Sequence, residues 1–411
     1  MTAFEIIAAI LSLTAFGGYV NQRFLRLPSA IGMMAFAFLI SLAVLIIGKL
    51  GWINLRIADA FINQIDFSTV LLHGMLSFML FAGALHINIE DLKKVRLSVS
   101  TLATIGVVIA TFVIGTLIWL GSSLIGIHLP YLYALLFGAL ISPTDPIAVL
   151  SILKKAGISK KLYAKIGGES LFNDGVGIVV FVTILGLATG NTQPEFFSLS
   201  ILLAQQVVGG MILGLLLGWI AYRLLRSIDA YRVEILLTLA LASGGYVIAE
   251  HLHVSAPIYM VTAGLVIGNR GRNSGMSEQT RVRLDDFWEL IDEVLNAVLF
   301  MLIGLEIIVI SVTSEQILLG LMAIASVLLG RVVSVGIASI LINIGKPFDW
   351  RTVGLLTWGG LRGGLSIAMA LSIPVGSEKS IILPITYIVV LFSILIQGLT
   401  FKPALKLFIK R

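Results

Sequence analysis

Gly167-Gly168-Glu169-Ser170-Leu171-Phe172-Asn173-Asp174-Gly175-Val176-Gly177 leads without interruption into Ile178-Val179-Val180-Phe181-Val182. Two carboxylates and an asparagine therefore open an apolar run that reads as a bilayer crossing. An ionisable side chain in hydrocarbon is costly unless it is paired, protonated or engaged in moving an ion, so its default reading is functional.

The composition agrees with a membrane setting. Of 411 residues, 58% are hydrophobic and only 12% charged, with a mean hydropathy of +1.04. Soluble domains carry about a quarter charged residues, so the chain reads as an all-α polytopic membrane protein. With no cysteine, disulfides and thiolate metal sites are excluded. The start, Met1-Thr2-Ala3-Phe4-Glu5, has no basic segment and no small-residue cleavage site, so the first apolar run is expected to be a retained helix. A net charge of +6 would suit nucleic acid, but the basic residues border apolar spans, so a bilayer and not nucleic acid is the expected partner.

Each crossing needs about 20 mostly apolar residues. Thirteen windows qualify, at roughly 2–20, 29–48, 67–86, 98–120, 131–153, 165–189, 199–225, 234–250, 255–268, 287–311, 316–344, 352–373 and 381–408. The basic residues test this count. With the N-terminus outside, all but five of the 28 Lys and Arg fall in inner loops: outer Lys49, Arg56 and Lys379, and Arg331 and Arg362 within spans. The inner set includes Lys93, Lys94, Lys154, Lys155, Lys160, Lys346, Lys410 and Arg411. The positive-inside rule thus predicts thirteen spans, N-terminus out and C-terminus cytoplasmic. The stretch from Asn269 to Asp286 reads as the longest inner loop, with Phe287–Glu293 as an interfacial helix start. No soluble regulatory domain is expected.

Two spans are interrupted. Span 5 holds Ser142-Pro143-Thr144-Asp145-Pro146, where two prolines remove backbone donors and bias Ser142 and Asp145 away from helix. Span 12 holds Gly359-Gly360-Leu361-Arg362-Gly363-Gly364, whose glycines favour unwinding. A separation of seven spans fits two inverted six-helix repeats, about 1–190 and about 233–408, joined by a linker helix at about 199–225. Breaks at matching repeat positions point to a midplane ion site in a secondary transporter.

Charge accounting assigns roles. Half-helix ends carry partial charges of about half a unit. Asp145 would balance the N-termini meeting at the crossing, and Arg362 the C-termini. Glu169 lies on a different face from Asp174 and is expected to pair with Arg331. Asp174 is then left without a dedicated cation. A buried carboxylate of that kind holds its proton more tightly than one in water, which suits proton exchange near neutral pH. Ser170 shares a helix face with Asp174 and adds a neutral oxygen. With carbonyls freed near Thr144, these atoms make an oxygen cage for a hard monovalent cation. The amide of Asn173 is positioned to hold span 6 against the freed backbone of span 5.

Other signals are weaker. His73 and His86 lack metal-ligand spacing, and Glu306 reads as solvated or structural near an outer end. His251 and His253 lie in an outer loop. Gly209-Gly210, Gly214 and Gly218 read as close helix packing. No phosphate loop or haem pair is visible, so no cofactor is expected.

The four motifs, Ser142–Pro146, Gly168–Asp174, Gly330-Arg331-Val332 and Gly359–Gly363, together resemble the sodium/proton exchanger family, the monovalent cation:proton antiporters with their NhaP-like prokaryotic branch. The resemblance spans essentially the whole chain. It implies a homodimer with thirteen helices per protomer, and a core of spans 4–6 and 11–13 moving like an elevator against a dimerisation domain. It also implies that Asp174 binds Na⁺ (or Li⁺, K⁺) and H⁺ alternately. In that reading Ser170 and the Thr144 carbonyl assist, Asn173 steadies the site and Glu169 pairs with Arg331. One departure stands out: many members carry an acid late in span 3, where this chain has Phe81-Ala82-Gly83-Ala84-Leu85. Two other classes fare worse. An intramembrane aspartyl protease using Asp145 and Asp174 lacks the Gly-x-Gly-Asp signature, and a cation channel lacks a repeated filter segment.

Overall fold

The computed structural model describes residues 2–50, 70–146, 149–150, 152–153, 160–190, 196–272, 275–308, 310, 312–342 and 349–409. Arg56, Lys154, Lys155, Lys346, Lys410 and Arg411, which entered the loop-charge reading, lie outside them. Among the described residues the architecture is helical throughout, with one isolated bridge between extended segments.

In chain order the helices are α1 (Ala3–Val20), α2 (Ser29–Lys49), α3 (Leu76–Leu85), α4 (Ile89–Ala103), α5 (Ile105–Leu124), α6 (Tyr131–Ile141), α7 (Lys160–Ala188) and α8 (Phe196–Leu225). They continue with α9 (Tyr231–His251), α10 (Ala256–Val266), α11 (Glu278–Glu306), α12 (Ser314–Ile342), α13 (Trp350–Trp358), α14 (Gly364–Leu371), α15 (Ser377–Leu391) and α16 (Gly398–Ile409). Single π-turns extend α1, α10 and α15 and precede α3. Among the described residues each apolar window read from the sequence overlaps helix, and those of spans 5 and 12 are interrupted.

Among the described residues eight helical segments are long and apolar enough to cross a membrane by length and composition. Those at spans 3, 5, 9, 10 and 12 do not reach that standard, for physical reasons. Spans 5 and 12 are broken, span 9 is short, span 3 is described only from Val70, and α11 carries a row of acids.

Helix boundaries extend beyond the apolar windows. Asn88 caps α4, its side-chain oxygen accepting the N–H groups of Glu90 and Asp91 at 2.7 and 3.2 Å, so span 4 begins nine residues before its apolar window. Ser277 caps α11 by accepting the Thr280 N–H. The reading of 269–286 as one long loop is therefore corrected: α11 begins at Glu278, and Phe287–Glu293 lies inside a 29-residue helix. An ion pair between Arg272 and Asp285 ties the short turn to this first part of α11.

Two buried apolar clusters organise the packing. The larger joins residues of α5, α6, α7 and α12–α16 with α1, α2 and the C-terminal half of α11. The smaller joins α3, α8, α9, α10 and the N-terminal half of α11. Close approach of α8 to α10 depends on the glycine stripe. A β-carbon at Gly210 would lie 2.6 Å from the Ser255 carbonyl, and one at Gly214 would lie 2.7 Å from Thr262 Cβ. Small residues permit this approach where lipid supplies no hydrophobic drive.

Candidate ion-binding site

The two interruptions meet. α6 stops at Ile141 and α13 at Trp358, and the extended residues that follow run antiparallel, with the Asp145 N–H donating to the Leu361 carbonyl at 2.7 Å. Unwound backbone inside a membrane protein must find partners within the protein, and here the nearby side chains supply them. Arg362, 1% exposed, donates through Nη1 to the carbonyls of Ser142 and Pro143 at 2.5 and 2.9 Å. These carbonyls end the first half of the broken span, so the guanidinium sits at a helix C-terminus, where a cation is favoured. The Arg362 N–H donates to Ser393 Oγ at 2.8 Å, from the π-turn that follows α15. On the other side of the crossing, the Asp145 carboxylate lies against Gly363, immediately before α14, where a β-carbon would clash with it. The structure therefore places Asp145 at a half-helix N-terminus and Arg362 at a half-helix C-terminus.

α7 brings four of the expected residues to this crossing, on different faces. Asn173, fully buried, receives the Thr144 N–H on Oδ1 at 3.2 Å and donates through Nδ2 to Thr144 Oγ1 at 2.9 Å. This two-point clasp satisfies backbone freed by Pro143 and Pro146 and fixes the register of α7 against the break. Ser170 donates its hydroxyl to the Thr144 carbonyl. Both oxygens keep lone pairs, so the pair offers adjacent neutral ligands to a hard cation. Gly177 permits the approach, since a β-carbon there would overlap Pro143.

Glu169 faces away from the cavity, 2% exposed, with its Oε1 2.5 Å from Nη2 of Arg331 on α12. The contact is at ion-pair distance but lacks hydrogen-bond alignment. Arg331 also reaches the Leu356 carbonyl through Nε at 3.4 Å. Gly360 leaves room for that guanidinium, as a β-carbon there would stand 2.8 Å from Nε.

Asp174 is half-buried, and its carboxylate has no hydrogen-bond or ion-pair partner among the described residues. It lines a cavity of about 770 Å³ together with Ser170, Thr144 and Asp145. It is lined by residues of α2, α3 and α11, which pack against one another, and of α4, the broken segment, α7 and α14. The lining is acidic, with Asp91, Asp145, Asp174, Glu289, Asp292 and Glu293 against Lys160. Such a cleft focuses field lines and concentrates cations.

Sequence reasoning missed the contribution of α11, because its acids were taken for the start of an interfacial helix. Their spacing was the available signal: Glu289, Asp292, Glu293, Asn296 and Leu299 recur at three- and four-residue steps and share a face. Ala82 is fully buried and packs in the smaller cluster, so α3 lends the cavity Met79, Leu80, Gly83 and His86 but no carboxylate. Glu306 is not solvated. It is 7% exposed, and its Oε2 has no hydrogen-bond partner among the described residues.

Two crossed, broken helices beside a cavity-facing carboxylate define a class of membrane transporters, and comparison with known proteins gives the class its family. The chain belongs to the transmembrane sodium/hydrogen exchanger family, which it matches over residues 10–407. This is a family of transporters and not of enzymes. The chain is 48% identical over 407 residues to the Na⁺/H⁺ antiporter NhaP of Pseudomonas aeruginosa, covering 98% of this chain and 96% of that one. It is 38% identical over 346 residues to the low-affinity Na⁺/H⁺ antiporter NhaS1 of Synechocystis, covering 80% of this chain and 62% of that one. The structure of the sodium proton antiporter MjNhaP1 from Methanocaldococcus jannaschii at pH 8 shares the fold, with a TM-score of 0.76 over 100% of both chains at 20% identity.

Proposed function

We propose that this protein exchanges a monovalent cation for H⁺ across the cell membrane, with Na⁺ the preferred cation and Li⁺ or K⁺ able to substitute. The exchange site is Asp174, which holds either one proton or one cation. The observation that carries this reading is the placement of Asp174. It lines the cavity with no cationic partner among the described residues, beside Ser170 and the Thr144 carbonyl, while the other polar groups at the crossing are engaged. Asn173 steadies the broken segment, Glu169 and Arg331 pin α7 to α12, and Asp145 and Arg362 balance the half-helix ends. Similarity to proteins named Na⁺/H⁺ antiporters supports the choice of ions.

Movement follows alternating access of the elevator kind. Among the helices lining the cavity are two packed groups, α2 with α3 and α11, and α4 with α7, and the second group carries Ser170, Asn173 and Asp174. The antiparallel bridge between the two breaks supports inverted repeats, at about 1–190 and about 233–408 around the linker helix α8. The apolar surface of the helices suits thirteen crossings with the N-terminus outside, and the working unit is a homodimer.

One titratable carboxylate at the site makes exchange electroneutral, one cation for one proton. Asn173 cannot titrate, and Glu169 and Asp145 are held in fixed electrostatic roles. In proteoliposomes, Na⁺-driven proton flux should be the same whether the membrane potential is clamped at zero or imposed with K⁺ and valinomycin. A rate that follows voltage as net charge movement would contradict the one-for-one reading. Protons on the loading side should raise the apparent KM for Na⁺ as pH falls, because both ligands compete for one carboxylate.

A further inference from the structure

Helix α11 lines the cavity that also holds Asp174, and its polar residues form a graded series. Glu289 and Glu293 are exposed, Asp292 is half-buried, and Asn296 is only 6% exposed. Steps of three and four residues put all four on one helix face. The rotation of α11 is fixed by the residue one turn before Asp292. Trp288, fully buried, donates Nε1 to Thr238 Oγ1 at 3.0 Å and packs against Phe81 with ring centroids 4.7 Å apart. Leu284, one turn earlier, is buried in the same cluster. Trp288 sits only about 40° around the helix from Asp292, so the polar residues border this anchored seam, and all four line the cavity.

Asn296 is the deepest of the four and the least explained. Its Nδ2 donates to the Asp292 carbonyl at 2.8 Å, while its Oδ1 is buried with no hydrogen-bond partner among the described residues. Leaving such an oxygen unsatisfied costs about 1–3 kcal/mol, so a buried amide oxygen lining an acidic cavity needs a ligand to account for it. Asp292, one turn before Asn296, is half-buried. Asp145 lies within electrostatic reach of both Asp292 and Asp174. The polar groups therefore continue from the mouth to the broken helices.

We propose that Asp292 and Asn296 form a second subsite for a monovalent cation, a loading station on α11 that passes the ion to Asp174. The chemistry fits a hard cation: one carboxylate supplies charge, one amide oxygen supplies a neutral ligand, and the open cavity supplies water. Where α3 brings no carboxylate to the cavity, α11 brings Glu289, Asp292 and Glu293. The inference rests on the exchange reading above, and its test separates the two.

The experiment uses the full-length protein, with Na⁺ as the probe, at alkaline pH. Sodium NMR line broadening reports binding, and proteoliposome flux reports exchange. Asp174→Asn should stop exchange yet keep a sodium-broadening signal, which disappears when Asp292→Asn is added. If Asp174→Asn, folded by its melting curve, already abolishes broadening, there is no second subsite and the exchange reading stands. If Asp174→Asn still exchanges, the exchange reading falls and takes the loading station with it. In the otherwise native chain, Asp292→Asn and Asn296→Ala should each raise the apparent KM for Na⁺ about three- to tenfold with little change in kcat, the size expected for one charge or one ligand near water. Asp292→Glu should restore the KM, which a purely structural role would not require. An unchanged KM in Asp292→Asn overturns the station. So does an equal KM rise in Glu289→Gln/Glu293→Gln, because the acids would then act as a diffuse field and not as a site.

Discussion

Glu169 and Asp174 lie five residues apart on α7, about 140° around the helix axis, and the two sides of that helix offer opposite environments. On one side α12 seals Glu169 to 2% exposure with Arg331 in contact. On the other a cavity meets Asp174, and no cation among the described residues answers it. The side chains are chemically almost the same. What differs is whether the neighbouring helix brings a guanidinium or an opening, and that difference separates a paired carboxylate from one that lines a cavity.

The largest effect should come from breaking the sealed side. Glu169→Ala or Arg331→Ala strands one buried charge and should cost about 3–5 kcal/mol of stability. Removing both partners should cost less than either single change, as a double-mutant cycle of melting curves would show. Single variants that melt like the native chain would mean the pair contributes no stability, and the contrast with Asp174 would collapse.

A smaller effect should follow from thinning the open side. Ser170→Ala removes one neutral oxygen beside the Thr144 carbonyl, worth about 0.5–1.5 kcal/mol, which corresponds to a roughly two- to tenfold weaker apparent Na⁺ affinity. Turnover should persist at saturating Na⁺, and stability should change little. An unaltered affinity would remove Ser170 from the ion's surroundings.

The smallest effect belongs to a third carboxylate that is neither sealed nor facing the cavity. Asp349 is exposed and caps α13, accepting the Arg351 N–H at 3.1 Å and the Thr352 hydroxyl. The Thr352 bond holds its carboxyl below the ordinary carboxylate range. A lowered folded-state value means the stabilisation is present above the unfolded value and is lost as pH falls through the folded one. Asp349→Ala should cost about 1 kcal/mol, the usual loss for a helix cap, seen by melting near neutral pH with Na⁺ affinity unchanged. A shift in affinity would show that α13 transmits local changes to the site.

The contrast between Glu169 and Asp174 was largely legible in the sequence, because the number of buried charges and their helix faces are both properties of the sequence. Pro143, Pro146 and the glycines from Gly359 announced both breaks, since those residues act on the backbone locally. The extent of the charged helix ends was not legible. Hydropathy sees the apolar part of α4 and α11, but the turns from Ile89 and Glu278 are held by Asn88 and Ser277 caps and by amphipathic packing. The acidic face of α11 was missed for the same reason. Its charges resemble a solvated helix start until α2, α3 and α7 are set around it. Which helix faces the cavity is a tertiary fact, and the span 3 departure at Ala82 gave no hint that carboxylates would come from α11.

The central claim is that one carboxylate, Asp174, holds either a proton or a cation. Adding Na⁺ to purified, weakly buffered protein near neutral pH and recording the proton released tests it most directly. The account predicts close to one proton released per protomer at saturating Na⁺, and no release from folded Asp174→Asn. Proton release from that variant, or two protons per protomer from the native chain, would contradict it.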